Sequence, residues 1–185
     1  MNKNRLEAFS DGVIAIIITI MVLELKPPHS THAADLAGVL PAWLRYALSF
    51  VYVGIYWVNH HALLDRVAKV DGAALWANLH LLFWMSLIPY VTAWAGENPM
   101  APVPVALYGV VLLLCSISFM LLSWRLDIEH GGHAMVWGSR KNRLSILLYA
   151  MAIGLSLWYP PLGALIHVLL ALVWLMPEAR RAPAR

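Results

Sequence analysis

Six long apolar blocks separate the short polar segments of this chain, and they constrain its fold more than any other feature. The hydrocarbon core of a bilayer is about 30 Å thick, and a helix of roughly 20 mostly apolar residues crosses it. The blocks approach this length and cover residues 6–25, 43–60, 75–95, 104–124, 144–158 and 162–176. Only 12% of the 185 residues are charged, against about 25% in a soluble domain. We therefore predict an all-α, polytopic membrane protein with six transmembrane helices.

Prolines mark several boundaries between these blocks. Pro27 and Pro28 follow the first block, and Pro41 stands just before the second. Pro89 lies inside the third block and predicts a kink there, because proline lacks the N–H that a helix needs. The last two blocks are joined only by residues 159–161, Tyr-Pro-Pro, which predicts a tight helical hairpin.

The basic residues sort to one side of the predicted bundle. Six spans put both termini on the same side, and the positive-inside rule makes the Lys- and Arg-rich side cytoplasmic. The other side holds only Lys26 and Arg45. The cytoplasmic side would hold eleven basic residues: Lys3, Arg5, Arg66, Lys69, Arg125, Arg140, Lys141, Arg143, Arg180, Arg181 and Arg185. We expect a multi-pass protein of the cell (inner) membrane, and this sorting explains the pI near 9.2 without a nucleic-acid partner.

The domain organisation is expected to be simple. One six-helix transmembrane domain would cover residues 1–176, and a short basic cytoplasmic tail would cover residues 177–185. Glu7 and Asp11 stand where a cleaved signal peptide would be basic, so we expect the first block to be a retained helix. The loops are short and leave little room for a soluble catalytic domain.

The first helix carries polar residues at an unusual depth. Its uninterrupted apolar stretch, residues 12–23, spans only about 18 Å at 1.5 Å per residue. Ser10, Asp11 or Glu24 must therefore lie in or near the membrane, where ionisable groups usually face a bundle interior or a water-filled path. Partners on the same side come from helices two and three. We expect convergence at one depth of Arg5, Ser10, Asp11, Asn59, His60, His61, Asn78 and His80, with a structural role for Arg5, Asp11 and His60.

One stripe of the first helix holds Ile16, Thr19, Ile20 and Leu23, spaced at i, i+3, i+4 and i+7. The segment is apolar nearly all round, so spacing alone does not say whether this stripe faces lipid, the subunit core or another surface. The Thr19 hydroxyl can also bond back to a carbonyl one turn earlier.

Residues 5–11 read Arg-Leu-Glu-Ala-Phe-Ser-Asp, an R-x-x-x-F-S-D pattern. This pattern resembles the opening of the first helix in the transmembrane protein 175 family, the endolysosomal potassium channels and their bacterial relatives. The stretches at residues 56–61 (Y-W-x-N-H-H) and 78–90 resemble that family's second and third helices. The resemblance implies a modestly potassium-selective cation channel that assembles as a homotetramer with the first helix of each subunit lining the pore. The resemblance further implies that side chains form the constrictions, since that family lacks the T-V-G-Y-G carbonyl filter, a string that is absent here too.

The resemblance also implies individual roles. Ile16 matches a narrow apolar ring, Thr19 a threonine layer involved in selectivity, and Ile20 and Leu23 further apolar pore layers. Arg5, Ser10 and Asp11 match the motif's polar network, with Trp57 and a histidine of the His60-His61 pair as partners. The expected interactions are with the lipid bilayer, other copies of the chain and monovalent cations, potassium above all. We expect no cofactor, no metal site and no catalytic residue.

Two other functions stay open. Eight histidines make a proton-permeable or pH-regulated cation channel plausible, because histidine titrates near neutral pH. A membrane enzyme is the second alternative, since His60, His61 and Asp65 spell H-H-x-x-x-D, a string found in some acyltransferases. A metal site there would need more ligands than this string supplies.

Overall fold

A computed structural model describes residues 3–28, 31–65, 67, 70–129 and 140–175. The predicted tail at residues 177–185, and the basic residues Arg66, Lys69 and Arg180 to Arg185, lie outside these ranges. The described part of the chain is helical and contains no strand. Its helices are α1 (Lys3–Leu23), α2 (Leu36–Leu64), α3 (Gly72–Ser86), α4 (Ile88–Glu97), α5 (Pro102–Glu129), α6 (Arg140–Trp158) and α7 (Pro160–Leu175). The predicted all-α, six-helix architecture is confirmed, with α3 and α4 together forming the third span.

Four segments of the described chain are long and apolar enough to cross a membrane. They are α1, α2 with the short 3₁₀ turn before it, α3 joined to α4, and α5. The remaining two helices are shorter, with 19 residues in α6 and 16 in α7. The six predicted blocks thus correspond one by one to six helical segments.

The third span breaks close to the predicted position. The helix stops at Ser86 and restarts at Ile88, so Pro89 occupies the second position of α4. A proline at this place has no N–H to pair with the carbonyl of Met85, one turn earlier. Leu87 bridges the break, since its N–H donates to the Trp84 carbonyl and its own carbonyl accepts from Val91.

The second span begins earlier than predicted. Helix α2 starts at Leu36, and Pro41 lies inside it rather than before it. The missing N–H of Pro41 removes one hydrogen bond near an exposed helix end, where water or headgroups can satisfy the free carbonyl. The proline is therefore a poor boundary marker here.

Helix α5 is central, whereas α1 lies at the edge of the subunit. Helix α5 packs against α3, α4, α6 and α7, and α1 packs against α2, α3 and α4. The α6–α7 hairpin is tight because a Cβ at Gly163 would lie 2.8 Å from the Ala152 carbonyl oxygen. No larger residue fits there without moving the two helices apart, which confirms the predicted hairpin.

A polar cap fixes the start of α3. The Asp71 carboxylate accepts a hydrogen bond of 2.7 Å from the Ala74 N–H and pairs with the Arg125 guanidinium near the end of α5. The Ala74 N–H, and after it the Arg125 side chain, hold the pKa of Asp71 below its ordinary value. Capping of this kind satisfies a free N–H of the first helical turn and orients α3 against α5.

Candidate functional site on the first helix

Helix α1 has a buried face and an exposed face. The buried face consists of Leu6, Ser10, Ile14, Ile17 and Met21. The exposed face contains the whole predicted stripe, in which Ile16 is 58%, Ile20 42% and Leu23 80% exposed. Thr19 is exposed as well. The structure thus keeps these four side chains out of the subunit core and places them together on one outer surface.

The Thr19 hydroxyl is oriented by its own helix. Its O–H donates to the carbonyl oxygen of Ile16 at 2.8 Å. The hydrogen is therefore directed at the backbone, and the lone pairs of Oγ1 remain available on the exposed face. An oxygen presented in this way can accept from water or contact a cation.

A buried chain of hydrogen bonds joins three helices behind the exposed stripe. Asn78 Nδ2 of α3 donates to Ser10 Oγ of α1 at 3.0 Å, and Ser10 Oγ donates to the Leu6 carbonyl. Asn78 Oδ1 lies 2.7 Å from His60 Nε2 of α2. Because the amide nitrogen is committed to Ser10, Nε2 of His60 must carry the hydrogen. All three side chains are buried, so this chain fixes α1 against α2 and α3.

A second, more exposed row of polar contacts lies where α1 begins and α2 ends. Trp57 Nε1 donates to Asp11 Oδ1 at 2.9 Å. The Trp57 and His61 rings stack with centroids 6.3 Å apart. His61 Nδ1 lies 2.8 Å from Glu7 Oε1, and its Nε2 lies 3.6 Å from Asp65 Oδ2. Asp11 therefore meets Trp57, the tryptophan that the family resemblance named as a partner.

Three residues expected at this convergence lie elsewhere. Asn59 donates to the Ile55 carbonyl of its own helix. His80 accepts from Trp84 Nε1 and pairs with Ser118 of α5, away from Ser10. Arg5 is exposed, and within the described residues no hydrogen bond or ion pair involves its guanidinium. Equal depth in a bundle does not bring side chains together when they point from different helix faces.

Sequence reasoning missed a polar cluster in the subunit interior. The Arg45 guanidinium lies 4.9 Å from the centre of the Tyr108 ring. Tyr108 shares a hydrogen bond with Ser49 at 3.0 Å, and Thr92 donates to Ser49 at 2.7 Å. These groups join α2, α4 and α5 inside the bundle. An arginine and a serine four residues apart in an apolar block are the sequence signal that could have found the cluster.

Comparison with known proteins identifies the family. The family model described as "Endosomal/lysosomal potassium channel TMEM175" matches residues 5–89, from the first turns of α1 to the start of α4. A potassium channel of Chryseobacterium sp. (strain P1-3) is 47% identical over an alignment of 184 positions, which covers 97% of this chain and 96% of the relative. The chain belongs to the TMEM175 family. The family predicted from the R-x-x-x-F-S-D pattern is confirmed.

Other TMEM175 proteins extend the comparison. The crystal structure of a lysosomal potassium-selective channel TMEM175 homolog from Chamaesiphon minutus matches with a TM-score of 0.83 and 31% identity, covering 94% of this chain and 96% of that one. The human endosomal/lysosomal proton channel TMEM175 is 29% identical over an alignment of 170 positions, which covers 81% of this chain and 33% of the human protein. This TMEM175 chain is therefore a multi-pass membrane protein with the fold of a known channel.

Proposed function

We propose that this TMEM175 chain forms a cation channel with a modest preference for potassium. Two relatives support this proposal. The Chryseobacterium relative is named a potassium channel, and the Chamaesiphon structure is described as potassium-selective. The conclusion concerns transport rather than catalysis, since the family and its named relatives are channels. Potassium is then the permeant ion, and no catalytic residue, cofactor or metal is required for conduction.

The observation that carries the proposal is the exposed stripe of α1. Ile16, Ile20 and Leu23 are apolar and largely uncovered, although α1 is firmly anchored on its other face. One helix cannot enclose a pore, so the proposal requires several copies of the chain. Four copies arranged around an axis, with the stripes facing one another, would create a narrow path lined by Ile16, Thr19, Ile20 and Leu23.

The chemistry of these layers accounts for a modest potassium preference. A ring of four Ile16 side chains offers no ligand, so ions pass only after partial loss of their hydration water. Sodium holds its hydration water more tightly than potassium, so partial dehydration at this ring costs sodium more free energy. Four Thr19 hydroxyl oxygens would replace part of the lost water, because each hydroxyl already donates to the Ile16 carbonyl. So few oxygen ligands favour weak rather than strong selectivity.

The polar contacts behind the stripe would hold the pore helix in place. Ser10, Asn78 and His60 fix the buried face of α1, and Asp11 is held by Trp57. We propose a structural role for this network, with His61 at its margin through Glu7; Arg5 and Asn59, which the family resemblance grouped with it, make no contact with it in the described residues. A helix held so firmly on one side presents its other side at a constant position, which a narrow constriction needs.

The proposal includes the orientation of the chain in the membrane and its division into a channel domain and a tail. Both termini would be cytoplasmic in the cell (inner) membrane, with residues 1–176 as the channel domain and residues 177–185 as a basic tail. The segregation of Lys and Arg supports this orientation. In this arrangement the row formed by Glu7, Asp11 and His61 lies at the cytoplasmic mouth.

The experiment that tests the proposal is cation flux in proteoliposomes loaded with potassium or sodium, with a protonophore that lets proton movement balance the charge carried by the cations. We expect Ile16→Asn to raise flux several-fold and to lower the potassium-to-sodium ratio, because the amide wets the ring. Val22→Asn is the matched control, since Val22 is 47% exposed on α1 but lies off the stripe. An unchanged ratio in Ile16→Asn would exclude Ile16 as the constriction.

A second candidate is proton permeation or pH regulation of the same pore. The human TMEM175 relative is named a proton channel, and His60 and His61 lie directly behind the first turns of α1. A pH-sensitive dye inside liposomes, used without the protonophore, distinguishes the two functions. Proton entry that persists without potassium and disappears in Thr19→Val would assign proton permeation to the α1 path.

A further inference from the structure

Glu24 is an ionisable residue beside α1 that the polar network behind the stripe does not use. The helix ends at Leu23, which is 80% exposed, and Glu24 follows in an exposed turn. Glu24 stands four residues after Ile20 and eight after Ile16, so it extends this row of the stripe by one further turn. A carboxylate therefore follows directly on the apolar stripe, at the end of α1 opposite to its first turns.

The Glu24 carboxylate has no partner in the described part of the chain. No hydrogen bond or ion pair there involves it. Lys26, the basic residue closest to it in sequence, pairs with Glu97 at the end of α4 instead. Glu97, through its hydrogen bond and its charge, raises the pKa of Lys26, and the charge of Glu24 contributes less. Lys26 is thus held against α4 and does not neutralise Glu24.

The acidic residues at the two ends of α1 differ in their contacts. Near the start of the helix, Glu7 contacts His61 and Asp11 accepts a hydrogen bond from Trp57. Beyond the last turn, Glu24 has no such contact. The 21 residues of α1 separate the two ends by about 30 Å, several times the Debye length of about 8 Å at physiological ionic strength. A cation that approaches α1 from its last turn therefore meets an uncompensated carboxylate first.

We propose that Glu24 controls how readily cations enter the pore from this end. The inference rests on the proposed channel function, in which several copies of α1 surround one axis. Each copy adds one carboxylate at the same height, so four copies would place four negative charges around the mouth. Such rings raise the local concentration of cations and repel anions. Glu24 would thus select by charge, whereas the Ile16 and Thr19 layers select among cations.

Screening by salt distinguishes this role of Glu24 from others. The Debye length is about 30 Å at 0.01 M salt and about 3 Å at 1 M salt. Carboxylates around the mouth therefore attract potassium strongly at low salt and hardly at all at high salt. A residue that acts through the width of the pore or through folding would change conductance at both salt concentrations.

The test measures the single-channel potassium conductance of the full chain in planar bilayers of neutral lipid, at about 10 mM and about 1 M KCl. We expect Glu24→Gln to lower the conductance by about twofold or more at low salt and to have no effect at high salt. Glu24→Asp keeps the charge and should conduct like wild type. The potassium-to-sodium permeability ratio should be the same in wild type and Glu24→Gln, because the ring does not distinguish the two cations.

Asp35→Asn is the matched control. It removes one exposed carboxylate from the 3₁₀ turn before α2 rather than from the end of α1, so it should lower the low-salt conductance less than Glu24→Gln does. Equal reductions in the two variants, a reduction in Glu24→Gln that persists at high salt, or no reduction at all would overturn the proposal.

The same recordings separate this inference from the proposed function. A wild type without any potassium conductance would contradict the channel function and, with it, the role of Glu24. A wild type that conducts and responds to Ile16→Asn, together with an unchanged conductance in Glu24→Gln, would contradict the role of Glu24 alone.

Discussion

The exposed face of α1 is apolar, whereas a surface helix of a soluble protein exposes a polar face. The buried face includes Ser10, joined through Asn78 to His60, while the exposed face is dominated by Ile16, Ile20 and Leu23. In the most apolar 18-residue stretch of α1, only 28% of the residues are buried within the subunit, whereas 50% are buried in the corresponding stretch of α5. Apolar packing together with the Ser10 hydrogen bonds therefore fixes α1 to its own subunit, and its apolar stripe is left for lipid or for other copies of the chain. The first three predictions below test the difference between these two faces, and the fourth tests an anchor elsewhere in the bundle.

The largest effect on stability is expected for a pair of matched deletions. Ile17→Ala removes a buried side chain and leaves a cavity, which costs about 2 kcal/mol or more of unfolding free energy. Ile16→Ala, one residue earlier, removes an exposed side chain and should change stability by less than about 0.5 kcal/mol. The measurement is thermal unfolding in detergent together with flux in liposomes. Flux should change in Ile16→Ala, and equal losses of stability in both variants would show that the faces are not distinct.

The next effect concerns the polar anchor. Asn78→Ala leaves the Ser10 hydroxyl and the His60 ring buried without their partner, at a cost of about 1–3 kcal/mol. Asn59→Ala is the control, because Asn59 bonds only to the Ile55 carbonyl of its own helix within the described contacts. Unfolding temperatures compared in the same detergent give the answer. A similar loss in the two variants would argue against a special role for the buried chain.

A smaller effect is expected on the exposed face. Thr19→Val keeps the shape of the side chain and removes its oxygen, so stability should not change. The potassium-to-sodium flux ratio should fall by about twofold or more, the equivalent of one modest hydrogen bond of roughly 0.5–1.5 kcal/mol. Thr92→Val, which removes a buried hydroxyl bonded to Ser49, should do the reverse. It should lower stability and leave the flux ratio unchanged.

The smallest effect concerns an anchor that does not involve α1. The pKa of Asp71 is held below its ordinary value of 3.8 by Ala74 and Arg125. A lowered carboxyl pKa contributes stability above the unfolded-state value, and this contribution is lost as pH falls through the folded-state value. The difference in unfolding temperature between wild type and Asp71→Asn should therefore be constant near neutral pH and shrink below about pH 4. A difference that stays constant down to pH 3 would contradict the capping role.

The sequence predicted most of the fold because hydropathy and proline act locally. The six blocks, the break near Pro89 and the α6–α7 hairpin follow from runs of apolar residues and from missing N–H groups. The start of α2 could not be placed in this way, since an exposed helix end tolerates Pro41. The exposed face of α1 was equally invisible, because a segment that is apolar all round gives no periodic signal.

The family resemblance and the depth of residues in the bundle predicted part of the candidate site. They did not predict which polar side chains of neighbouring helices contact one another. Depth in the bundle correctly suggested that Ser10, His60 and Asn78 meet, since all three come from segments that end on one side. The same reasoning grouped them with His80, which points to Ser118 of α5 instead. Asn78 and His80 differ in the direction in which they project from α3, and the rotation of the helix about its axis decides which of them faces α1. Packing sets that rotation, so the sequence alone does not give it.

The most direct test of the central claim is the accessibility of single cysteines on α1. The chain has one native cysteine, Cys115, which is buried, so Cys115→Ala provides the background. Leu23→Cys and Val22→Cys then compare neighbouring exposed positions, one on the stripe and one off it. If the stripes of several subunits line a water-filled path, a charged, water-soluble thiol reagent should block cation flux through Leu23→Cys and leave Val22→Cys unaffected. Failure of the reagent to reach either cysteine, with flux intact in both, would place the stripe against lipid and contradict the account.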